Sequence, residues 1–277
     1  MRKERNILLV IMKYIVTVMF ALVFASPLLL VFINSFKTKG EISSSALALP
    51  QAWNFDNYIT IITESNFVSS FLTSIFTVIV TTSLTVLIAA ITGYALARWN
   101  SRLSTIIMLV IMTTLFVPFQ VYMVALIVVV RKIHLVGNLF GLILVYLALG
   151  MPVPIFLCRS YCIGLPKELE ESAIIDGCSR TKMLYKIVLP LMRPILATVA
   201  VLNALWVWGE FLVAFLVYGN GKPMTLPLSQ QYFYGTYSNQ WNLILANFVI
   251  SSIPIILFYI LMQKNIVKGI AAGAAKG

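Results

Sequence analysis

Between residues 13 and 263 the sequence returns six times to a predominantly apolar stretch longer than twenty residues, at about 13–34, 67–97, 105–130, 138–162, 194–218 and 242–263. The hydrocarbon core of a bilayer is ~30 Å thick, and ~20 helical residues cross it. A helix satisfies every backbone N–H and C=O within one crossing segment, so six helical spans are expected. A water-soluble fold fails on charge. Of the 277 residues, 60% are hydrophobic and 10% charged, too few to clothe a surface facing water. The expected fold is an all-α membrane protein: residues 1–12 precede the spans, 13–263 form the transmembrane domain, and 264–277 form a tail.

Lysine and arginine orient the spans. With both termini inside, fifteen of the 20 fall on inner segments, while Lys37, Lys39, Arg131, Lys132 and Lys222 fall outside. That asymmetry follows the positive-inside rule and makes both termini cytoplasmic. It also accounts for a net charge of +11 without nucleic acid, for which no binding module is visible. The apolar run 14–33 is too long for the core of a signal peptide and reads as a retained first span. Pro27, Pro118, Pro152, Pro154 and Pro254 fall inside expected spans, so kinks are expected there.

Polar residues within the spans are few. Glu210 is the only acid in one, and at mid-bilayer it would cost ~2.5–3.5 kcal/mol, so it should face protein or water. Asn203, Trp206 and Glu210 share a helical face. They suit either a sugar path, where hydroxyls meet an amide, a carboxylate and an aromatic ring, or hydrogen bonding between helices. Thr73, Thr77, Thr81 and Thr85 recur every four residues, a pattern for a helix-packing face. Cys158, Cys162 and Cys178 have neither CxxC spacing nor a nearby histidine, which points to apolar packing and not to a metal.

One long inner segment, 163–193, is charged where the rest of the chain is oily. Pro166 suits a first helical turn, and Glu168, Glu170 and Glu171 favour the positive end of its dipole. Asp176-Gly177 reads as a helix stop, with glycine free to turn left-handed. Ser179 is expected to cap a second short helix through Val188, closed by Pro190. Ala173 is expected to keep one face small, so that another protein's groove can approach.

Glu171-Ser172-Ala173, then Gly177, Ile187 and Leu189-Pro190, resembles the EAA loop of ABC-importer permeases; Ser172 stands where that family usually has alanine. The resemblance implies that Glu171, Ser172, Ala173, Asp176, Gly177, Ile187, Leu189 and Pro190 form or support a coupling helix seated in a cleft of an ATPase subunit. The match runs over nearly the whole chain and is similar to the maltose-transporter-type sugar permeases. Trp208-Gly209-Glu210-Phe211 departs from that family's usual Trp-Asn-acid-Phe. The ending 263–277 is similar to the tail of one of the family's two permease subunits. It implies that Lys268, Gly269, Gly273 and Lys276 reach the ATPases.

The chain has no P-loop: its one Gly-Lys pair, Gly221-Lys222, precedes Pro223. An ATPase must therefore be a separate chain, which would bind the ATP and Mg; no cofactor is expected here. The resemblance implies three further kinds of expectation. The partners are a second permease subunit, two ATP-binding cassette subunits and an extracytoplasmic sugar-binding protein. The cargo is a sugar, an oligosaccharide in the first place. The place is the bacterial plasma membrane. The alternatives are another polar solute, such as a polyol or glycerol phosphate, or a secondary transporter, which one intramembrane acid supports thinly. A catalytic constellation for an intramembrane enzyme is absent from the sequence.

Overall fold

The computed structural model describes residues 7–64, 66–99, 101–219, 221–234 and 239–274, with side chains described between 9 and 263. Every regular element among them is helical. Four helices are long and apolar enough to cross a membrane: Leu9–Asn34, Phe67–Arg98, Arg180–Gly209 and Trp241–Gln263. Two bent pairs bring the number to six if each counts as one span.

The bends have local causes. In the third expected span, α5 (Arg102–Thr113) tightens into a turn of 3-10 helix over Thr114–Phe116 before α6 (Phe119–Lys132) begins. Val117 is extended because the ring of Pro118 bars the residue before it from helical geometry. The result is a break of 105° and not the kink expected from sequence. The fourth span divides into α7 (Leu139–Gly150) and α8 (Pro152–Ile163), bent by 48° where Pro152 lacks the N–H that would continue the ladder.

The chain forms two compact units, Met1–Val68 with Ser229–Ile253, and Ser69–Leu228 with Pro254–Gly277. In the first, α1 (Ile7–Asn34) leads into the short helices α2 (Lys39–Ser44) and α3 (Asp56–Glu64). Phe36 gathers Phe32, Trp53, Phe55 and Tyr58 at ring-centroid distances of 5.1–5.4 Å. Lys37 is buried, and its ammonium donates to Asn34 Oδ1 at 2.9 Å and to the Ser45 carbonyl at 3.0 Å, so its charge is met by oxygen dipoles. Asn57 donates to the carbonyls of Ser35 and Lys37 and accepts from Asn242. The segment 35–58 is thus an ordered knot.

The second unit holds α4 (Phe67–Arg98) from Ser69 onward, together with α5 through α8. It also contains α9 (Glu168–Ile175), α10 (Arg180–Met183) and α11 (Leu189–Gly209). The threonine stripe is buried, and Thr73 and Thr77 donate to the carbonyls four residues back. Farther along the same helix, Ala89 and Ala90 pack with Ile155, Cys158, Cys162, Val188, Met192 and Val199 into one core. Lipid tails are as apolar as the side chains, so such a core is held by close fit more than by escape from water. Small residues and buried thiols serve that fit. A second core gathers Tyr146, Val207, Ala214, Val217 and Leu228.

Candidate functional site

The segment between α8 and α11 folds as two short helices around a glycine. The three glutamates of its first turn favour α9, and Ser172 Oγ donates to the Glu168 carbonyl at 2.7 Å. Its end closes by a Schellman arrangement: Gly177 N–H bonds the Ile174 carbonyl at 3.0 Å and Cys178 N–H the Ala173 carbonyl at 2.9 Å. Gly177 holds φ +76°, a left-handed value that other residues adopt at a cost. Ser179 then caps α10, accepting from Lys182 N–H.

Two expectations are corrected here. Pro190 does not close the second helix. Residues Leu184–Val188 widen into a π turn in which Leu189 N–H bonds the Leu184 carbonyl, five residues back. That wide turn admits Pro190 near the start of α11, and Arg180–Gly209 runs on as one span. Ile187, Leu189 and Pro190 are half-buried along that continuation. Ala173, expected to face a partner, is 7% exposed and turned into this chain's own fold. Its small size brings α9 close to its own bundle.

The outward face of α9 is different. Glu171, Ser172, Asp176 and Gly177 are exposed, and so are Leu169, Ile174 and Ile175, the last 85% exposed. A Cβ built on Gly177 meets nothing within 4 Å. An isoleucine pair beside an open glycine on a charged helix is an exposed apolar patch with a polar surround. Sequence reasoning missed the isoleucines because their neighbours carry the motif; their i, i+1 placement before a helix stop was the available signal.

A clasp holds α9 from behind. Arg98, the last residue of α4, directs its Nε to Glu170 Oε1 at 2.8 Å, and its Nη2 reaches the same oxygen. Its Nη1 donates to the Cys162 carbonyl at 3.0 Å and Nη2 to the Leu165 carbonyl at 3.3 Å. Tyr94 Oη donates to the other carboxylate oxygen at 2.8 Å. The paired side chains are 15% and 13% exposed, so water screens them weakly. Breaking a fully buried pair by removing one partner costs roughly 3–5 kcal/mol, against 0–1 kcal/mol for a solvated one.

The second set of expected site residues comes apart. Asn203 and Trp206 line a cavity of about 240 Å³ with Gly150, Val153 and Leu202, and Asn203 Oδ1 accepts from Thr82 Oγ1 at 3.0 Å. Glu210 does not line it. The helix stops at Gly209, Glu210 is extended, and its Oε1 accepts from Val213 N–H at 2.9 Å. The expected fifth span therefore breaks there, and the acid caps the turn that follows. The Glu210 carbonyl accepts from Tyr146 Oη at 3.2 Å. Lys268, Gly269 and Gly273 fall on the helical backbone of α12 (Trp241–Ala274), and Lys276 lies outside the described residues. Among the described residues no group of three His, Cys, Asp or Glu is placed to hold a metal.

Residues 86–272 match the family described as binding-protein-dependent transport system inner membrane component. The chain belongs to that family. The permease is 35% identical over 269 residues to the probable starch degradation products transport system permease protein of Thermoanaerobacterium thermosulfurigenes, covering 96% of this chain and 98% of that one. It is 32% identical over 274 residues to the arabinooligosaccharides transport system permease protein of Halalkalibacterium halodurans, covering 96% and 98%. In fold it is similar to a crystal structure of a bacterial ABC transporter involved in the import of the acidic polysaccharide alginate. The TM-score is 0.80 over 95% of this chain and 98% of that one, at 21% identity. The permease is a multi-pass protein of the bacterial plasma membrane and a pore component, not an enzyme. Its family works with ATPase and binding-protein partners.

Proposed function

We propose that this permease carries a sugar, an oligosaccharide in the first place, delivered by an extracytoplasmic binding protein and driven by ATP hydrolysed on separate subunits. The substrates of the two relatives named above, starch degradation products for the probable permease of Thermoanaerobacterium thermosulfurigenes and arabinooligosaccharides for the other, support the cargo. The observation that carries the mechanism is the outward face of α9, where Glu171, Ile174 and Ile175 stand exposed ahead of the open Gly177.

With residues 163–193 on the cytoplasmic side, that face seats in a groove of an ATPase subunit. Glu171, Ser172 and Asp176 lie at its polar rim, and the isoleucines fill its floor. A second permease subunit completes the pore, and a second ATPase engages it. ATP and Mg are held by those ATPases. The tail, with Lys268, Gly269, Gly273 and Lys276, reaches them as a further contact. Asn203 and Trp206, lining one cavity with an amide and an indole, are the residues of this chain offered to the sugar.

ATP closes the ATPases together, α9 moves with them, and the spans reorient to open the sugar's chamber to each side in turn. Such a cycle needs the ATP-bound and sugar-bound states to be differentially stabilised, so α9 must act as a lever and not as a hinge. The test is reconstitution with the co-encoded proteins in proteoliposomes with ATP. Labelled malto- and arabino-oligosaccharides are offered with and without the binding protein. Uptake is expected only when ATP, ATPase and binding protein are all present. Uptake that persists without the ATPase would overturn the reading.

A further inference from the structure

We propose that Arg98, through Glu170 and Tyr94, is the rigid joint that passes movement of α9 into the second span, α4. This rests on the coupling role given to α9 above. The only buried residue of this eight-residue helix is Ala173, and one methyl group is too little to hold a lever at a fixed angle. Otherwise α9 lies chiefly alongside α10 and Leu184–Val188, which follow it in the chain. The chain enters from α8 through 164–167 and leaves through the turn at Gly177. Either could bend and absorb a push.

The clasp removes that freedom. A guanidinium is planar and offers its donors as a fixed fork, so it sets the orientation of its partners as well as their distance. Arg98 spends that fork on three elements at once: the Glu170 carboxylate on α9, the Cys162 carbonyl on α8, and the Leu165 carbonyl between them. Tyr94, one turn back on α4, holds the second carboxylate oxygen. Two side chains of α4 thus grip both oxygens of one carboxylate, and Glu170 cannot rotate without breaking a bond. Beyond the clasp, α4 meets α8 at Gly93 with no slack. A displacement of α9 is therefore delivered to α4 and α8 together, where an unclasped α9 would pivot at Pro166 and Gly177.

Arg98 is a positioning residue, and its test reads coupling. The complex of permease, partner permease, ATPases and binding protein is reconstituted with wild type or with Glu170→Ala. That variant leaves Arg98 on its two carbonyls and so spares the end of α8. The expected result is normal subunit stoichiometry, continued ATP hydrolysis, and sugar uptake per ATP lowered on the order of tenfold. If Glu170→Ala does not co-purify, Glu170→Gln decides, since it keeps the side chain's size without the charge; uptake per ATP is expected to fall in the same direction. An unchanged ratio in the assembled variant overturns the joint while leaving the permease reading intact. A wild-type complex with no ATP-dependent uptake overturns the permease reading itself.

Discussion

Gly93 of α4 lies so close to Cys158 of α8 that a methyl group on its Cα would stand 2.6 Å from the cysteine Cβ and 2.8 Å from the Arg159 backbone nitrogen. Backbone cannot rotate aside as a side-chain tip can, so even alanine forces the helices apart. Gly93→Ala is expected to lower stability by about 1–3 kcal/mol, and Gly93→Val by more. Thermal unfolding of the purified protein in detergent checks this; an unshifted midpoint for both variants would refute the contact.

Gly177 presents the opposite case, since space is open and conformation is not. Gly177→Asn is expected to be tolerated, because asparagine adopts left-handed geometry readily. Gly177→Leu costs about 1–3 kcal/mol of backbone strain and also fills the surface offered to a partner. The leucine variant should insert in the membrane at normal amounts yet abolish uptake, and the asparagine variant should transport. Equal uptake by the two would count against docking at this turn.

Ile175 is 85% exposed among the described residues, far more than an isoleucine packed within its own chain would be. Burying such a side chain against a partner contributes about 1.5–3 kcal/mol. Ile175→Ser should leave the permease's own unfolding unchanged while weakening its hold on the ATPase at least about tenfold. Co-purification at graded detergent or salt measures it, and full retention of the ATPase would contradict the proposed seat.

Glu210 and Asn203 separate under mutation. Glu210→Gln keeps an oxygen for the Val213 N–H and should leave uptake close to wild type, whereas Glu210→Ala loses a cap worth about 1 kcal/mol. Asn203→Ala removes the amide from the cavity and should raise the half-saturating concentration for sugar. If Glu210→Gln abolished transport in a well-folded protein, the carboxylate would be more than a cap.

Glu41 supplies a pH test in the segment between α1 and α4. Its carboxylate accepts from the backbone N–H groups of Thr38 and Gln51 and from the Thr38 hydroxyl, and these bonds hold its pKa below the ordinary 4.5. A depressed folded pKa contributes stability above the unfolded value, lost as pH falls through the folded one. Hydrogen-exchange protection around α2, corrected for intrinsic rates, should hold above pH 4.5 and decline below it. Protection that rises on acidification would reverse the assignment.

Much of the site's local form was legible because its signals are local. The three glutamates starting α9, the glycine ending it and the serine restarting the chain each act within four residues, and each sits where spacing put it. Pro190 misled because a proline normally ends a helix; the π turn that absorbs it depends on how Val188 is packed in the core, which spacing does not encode. Glu210 misled for a similar reason, since an apolar run continues past a point where the helix stops.

The amino-acid sequence by itself determined the six apolar stretches and the place of the charged helix-turn-helix segment between α8 and α11. Hydrophobic length, helix-start charges and a stop glycine are properties of the chain read in order. The tertiary structure alone decided that Ala173 faces inward while Ile175 faces out, that Asn203 and Trp206 share a cavity that Glu210 leaves, and that Arg98 closes on Glu170. Arg98 and Glu170 lie 72 residues apart, and a fork-to-carboxylate contact exists only once α4, α8 and α9 have packed. No local periodicity carries that distance, because the pairing is set by the fit of helices to one another.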